Sequence, residues 1–132
     1  HPIRKALQRI AEVRKGSVAL QRGLQVNGNF GDDTAEFFRV YEKDGVAQTA
    51  LVLLNKSDEP VEFVVDKFVS VGRWRDALAD DVIEVSASQP VLTATVGAHG
   101  VGVLLYDKPA SNEDLLDKLD ALQVNARRMN PE

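Results

Sequence analysis

The chain has 132 residues, 44% of them hydrophobic and 27% charged, with a net charge of −4 and no cysteine. That is the size and balance of one globular domain with a single core. It excludes a disulfide framework and a thiolate zinc site, and gives no electrostatic reason to expect nucleic acid or an anionic membrane as partner.

Residues 1–15 read as an amphipathic helix. Ile3, Ala6, Leu7, Ile10 and Val13 recur at helical spacing, Pro2 suits a first turn, and Gly16 is a natural stop. His1 stands where a full reading frame would have Met, so the chain reads as processed or excised. From residue 24 to 106 the signals turn to short strands. Gly28-Asn29-Phe30-Gly31 lacks the spacing of a phosphate cradle and reads as a flexible bend. Thr34–Glu42 is rich in aromatic and β-branched residues and ends at the hairpin signal Lys43-Asp44-Gly45. Ala50–Leu54 is continuously apolar, as a central strand covered on both faces would be. Asn55–Pro60 is turn chemistry, and Val61, Phe63 and Val65 alternate with Glu62 and Asp66. Val82–Val85, Val91–Val96 and Val101–Tyr106 complete the series. A last helix follows the break at 107–111, with Ser111 as its expected N-cap, Glu113 and Asp114 in its first turn, and an apolar stripe of Leu115, Leu119, Leu122 and Ala126. The expected fold is mainly β: an antiparallel Greek-key β-sandwich of seven or eight strands with one flanking helix at each end.

Few residues suggest chemistry. His99 lies in an expected turn with no partner at metal-ligand spacing, so a loop position or local hydrogen bond is the simpler reading. Asp32-Asp33 and Asp80-Asp81 are adjacent acids at strand ends, where Asp starts turns, rather than two carboxylates facing across a glycosidic bond. The sequence therefore assigns no catalytic residue, no metal site and no cofactor. Trp74 and Tyr41 are the candidate carbohydrate contacts, because aromatic rings stack on sugar faces; core or edge packing is the competing reading of Trp74. Phe30 and Tyr106 are further rings of unknown placement.

The order of segments resembles the C-terminal β-sandwich domain of α-amylase-family (glycoside hydrolase family 13) enzymes. Arg14-Lys15-Gly16-Ser17-Val18-Ala19-Leu20-Gln21-Arg22-Gly23 is similar to that family's barrel exit, with Val18 where Pro is usual and one extra residue. Phe37–Gly45 (FFRVYEKDG), Ala50–Phe63 (ALVLLNKSDEPVEF), Gly72–Leu78 (GRWRDAL) and Ala98–Leu105 (AHGVGVLL) resemble successive strands and turns, with Ala98 where Pro is common. The cyclodextrin glucanotransferase and maltogenic amylase branches are the nearest in pattern. The resemblance implies three parts: residues 1–23 as the last helix and exit of a (β/α)8 catalytic barrel, 24–107 as the sandwich, and 108–132 as a linker and C-terminal helix outside the pattern. It implies a non-catalytic accessory domain whose partner is the barrel of the same polypeptide, itself a retaining α-1,4-glucan hydrolase or transglycosylase, secreted or periplasmic. The family's catalytic carboxylates match no position here. Two rival readings remain open: an α-glucan-binding module, and an interaction domain that forms a homodimer through its helices.

Overall fold

In a computed structural model, the structure describes residue 8 and residues 11–43, 45–78 and 81–129, with residues 123–129 by backbone alone. Gln8 and residues 11–15 are helical, as expected; Ile3, Ala6, Leu7 and Ile10 lie outside the described residues. A short helix that the sequence pattern does not signal, α1 (Val18–Arg22), follows, with Ser17 as its N-cap. The strands are β1 (Leu24–Phe30), β2 (Thr34–Lys43), β3 (Val46–Asn55), β4 (Val61–Val65), β5 (Gly72–Asp76), β6 (Val82–Val85), β7 (Leu92–Val96) and β8 (Val101–Tyr106), before helix α2 (Glu113–Met129).

The fold is an antiparallel β-sandwich of unequal layers. Six strands form one sheet in the order β1-β2-β3-β8-β5-β6, and β4 and β7 form the second. The chain leaves the large sheet for β4, returns for β5 and β6, leaves again for β7, and comes back as β8, which slots between β3 and β5. The expected central strand is real but longer than its apolar run. Gln48 and Thr49 are buried within it, because β3 pairs with β2 from Val46 onward and neighbours cover both faces. Alternation then sorts β3: Leu51 and Leu53 point inward, Ala50 and Val52 outward.

The inner core joins Phe38, Val40, Leu51, Leu53 and Trp74 of the large sheet to Phe63, Val65, Leu92 and Val96 of the small one. Two strands cannot cover six. The remaining inner surface is closed by α2, which packs against β1 and places Leu115, 0% exposed, in the same core beside the half-buried Leu119. Two of the three stripe leucines expected on this helix are thus occupied within the chain, while the third, Leu122, and the adjoining Leu116 are exposed.

Three expectations need correction. Gly28-Asn29-Phe30 is not a loop but the end of edge strand β1, where the register slips between Asn27 and Phe30. Such a bulge satisfies the strand locally while admitting glycine. The N-cap of α2 is Asn112 rather than Ser111: Asn112 Oδ1 accepts from the Leu115 amide at 3.0 Å. The Ser111 amide instead donates to Ser70 Oγ at 3.0 Å, tying the helix start to the arch before β5. The third correction concerns Trp74, described below.

Candidate interaction face

Trp74 sits on the inner face of β5 and is 0% exposed. Its ring stacks on Tyr106 at 5.1 Å, and its Nε1 donates to the Ser70 carbonyl at 2.9 Å. Tyr106 Oη donates to the Val71 carbonyl at 2.7 Å, and a Cβ at Gly72 (φ 135°) would lie 3.1 Å from the Tyr106 ring. Both rings therefore clasp the residue 70–72 arch from below. A ring with no exposed face cannot stack on a sugar, so Trp74 is a core residue.

Tyr41 is half-buried on the opposite side of the sheet, so the structure does not bring the two candidate rings together. The outer face on which Tyr41 lies is built from Ala50 and Val52 of β3 and Val101, Val103 and Leu105 of β8. Ala19 and Leu20 of α1 pack on it, with Val13, Phe37, Leu54 and Ala77 half-buried around them. Near the far ends of β2 and β3 lies a groove of about 280 Å³, which includes Phe37, Leu54 and Phe30, the last 61% exposed.

A polar clamp fixes the entering chain to this face. Gln48, buried on β3, accepts from Ser17 Oγ at 2.7 Å and from the Ala19 amide at 3.2 Å. Its Nε2 donates to Asp107 Oδ1 at 2.8 Å, and Asp107 Oδ2 meets Arg75 Nη2 at 3.3 Å. One amide thus satisfies the N-cap of α1, the end of β8 and, through Asp107, β5. Nothing in the sequence pattern points to this role, because a Gln before an apolar run carries no pattern of its own.

The turns flanking the small sheet are knotted by a second buried amide. Asn55 is 1% exposed; its Nδ2 donates to the carbonyls of Glu59 (2.8 Å), Val96 (3.1 Å) and Gly97 (3.1 Å). Its Oδ1 accepts from the amide and hydroxyl of Ser57 at 2.9 and 2.7 Å. His99 sits in the facing turn with φ 54°, donates its amide to the Ser57 carbonyl at 3.1 Å, and pairs through Nε2 with Asp58 at 2.6 Å. His99 thus joins two turns. The Asp33 carbonyl accepts from the Lys56 amide and the Asp81 carbonyl from the Asp76 amide, each at 2.7 Å; Asp80 and Asp44 lie outside the described residues. Among the described residues, no three His, Asp or Glu side chains converge as a metal ion would require.

No family model matches the sequence, and no curated protein sequence does. Solved structures share the fold. An Anoxybacillus α-amylase superposes with a TM-score of 0.62 at 19% identity, over 82% of this chain and 23% of its own. The α-amylase of Geobacillus thermoleovorans, solved with acarbose, gives 0.62 at 20% identity, over 77% of this chain and 22% of its own. An α-galactosidase from Mortierella vinacea gives 0.54 at 16% identity, over 73% of this chain and 27% of its own. The chain thus spans only about a quarter of each of these enzymes and has in them the fold of one part of a longer glycosidase polypeptide.

Proposed function

We propose that the chain is the C-terminal accessory domain of a retaining α-1,4-glucan hydrolase or transglycosylase of the α-amylase family, and that its outer face covers and stabilises the catalytic barrel. In this reading residues 1–23 are the last barrel helix and exit, 24–107 the sandwich, and 108–132 a tail that completes the sandwich core. The amylase fold likeness supports it, as does the motif order of the sequence. The observation that carries it is the clamped entry: Gln48 holds residues 17–19 on an apolar sheet face. A domain joined upstream is thereby delivered to that face. Phe37 and Leu54, only half-buried, supply apolar surface for it to cover.

The test is Leu54→Asp in the intact polypeptide. A charge placed in a closed apolar interface is costly. The temperature at which α-glucan cleavage is lost should fall by several degrees. The same change in residues 1–132 alone meets a site already partly open to water, and should cost only about 1 kcal/mol. An unchanged inactivation temperature would refute the covered face.

A further inference from the structure

Glu36 has no part in the role proposed above, yet its placement is costly. Strand alternation puts it on the inner side of β2 in line with Phe38 and Val40, and it is only 5% exposed. Its Oε2 is buried without a hydrogen-bond partner. It lies under the β1 bulge: a Cβ at Gly28 would come within 2.9 Å of Glu36 Cγ and 3.1 Å of Oε2. Only glycine there lets the edge strand close over the carboxyl.

The groups facing it come from two elements. From β1, the side-chain and backbone donors of Asn29 favour the charged form. From the exit of β4, Asp66 opposes the charge and Lys67 favours it. Burial, reinforced by Asp66, outweighs Asn29 and Lys67, so the Glu36 carboxyl is held above its ordinary value. Its neighbours on β3, Leu53 and Leu51, are apolar.

We propose that Glu36 is a proton-controlled latch on the sheet edge: its neutral carboxyl lets the Gly28–Phe30 bulge of β1 close over it, and ionisation releases that bulge. When β1 lifts, the carboxyl meets water and takes its ordinary acidity. Below that ordinary value both forms hold the proton, and closure is at its strongest. As pH rises, the opened form ionises first, so closure weakens until the pH passes the raised value of the closed form. The edge is therefore tighter in mild acid than at neutrality.

Amide exchange followed by NMR on residues 1–132 tests this, with Glu36→Gln as the uncharged near-isostere. After correction for intrinsic chemistry, the opening constants of the Gly28, Asn29 and Phe30 amides should rise with pH above the ordinary Glu range. The rise should approach about tenfold per pH unit until the closed-form value is reached. In Glu36→Gln they should stay flat. A carbon-13 titration of the Glu36 carboxyl in the unaltered chain gives a second readout that needs no variant. Parallel pH profiles in the two proteins, or a carboxyl titrating at or below its ordinary value, would overturn the latch.

Discussion

Replacing Trp74 with Ala is expected to cost about 3–5 kcal/mol of folding stability, the range for emptying a large aromatic site in a packed core. The ring is fully buried, stacked on Tyr106, and the donor to the Ser70 carbonyl. Its removal leaves a cavity and an unpaired buried carbonyl together, and an orphaned buried polar group adds about 1–3 kcal/mol. Ser70 also accepts from Ser111 through its hydroxyl, so disorder in the arch should spread to the start of α2. Small domains hold only about 5–15 kcal/mol in total, so the variant would sit near the edge of folding. Urea unfolding, followed by far-ultraviolet circular dichroism, measures it. A loss below about 1 kcal/mol would restore the view of Trp74 as a surface ring.

Asn55→Ala should be the next most damaging single change, at about 2–4 kcal/mol, although it removes almost no apolar surface. It strips one shared donor from three carbonyls and one acceptor from two Ser57 donors. Asn55→Asp should be worse at neutral pH, because it turns that donor into a buried charge facing the Glu59, Val96 and Gly97 carbonyls. The gap between Asp and Ala should narrow on acidification, since a protonated Asp regains a donor and loses its charge. Denaturant midpoints at neutral and acidic pH check both statements. Equal midpoints for Asn and Ala would show that water replaces the amide without loss.

The strands were legible where burial imposes a pattern. Val82–Val85 and Val101–Tyr106 have the expected bounds, and Val61, Phe63 and Val65 lie on a strand as expected, because alternation or a continuous apolar run reports directly on covered faces. Edge strand β1 was not legible. It has one clearly buried apolar residue, Val26, and its Gly-Asn pair signals a turn in isolation; pairing with β2 overrides that signal. The N-cap slipped by one residue because Ser111 and Asn112 are equally good caps by type, and only the reach of Ser111 to Ser70 decides between them. Site residues fared differently. The sequence could name Trp74 as an unusual ring, but not on which face of the sheet it falls. Gln48 and Asn55 reach partners 29 to 59 residues away, and Glu36 depends on local bulge geometry, which no spacing rule encodes.

The outer-face reading is tested most directly by calorimetry of the catalytic barrel that this reading places upstream, made to end at residue 23 and made with residues 24–132 attached. Joined, the catalytic region should unfold at a higher temperature than alone, with the two parts melting in one cooperative transition. Identical melting of the catalytic region in both forms, with residues 24–132 unfolding independently, would contradict an accessory domain that stabilises a barrel.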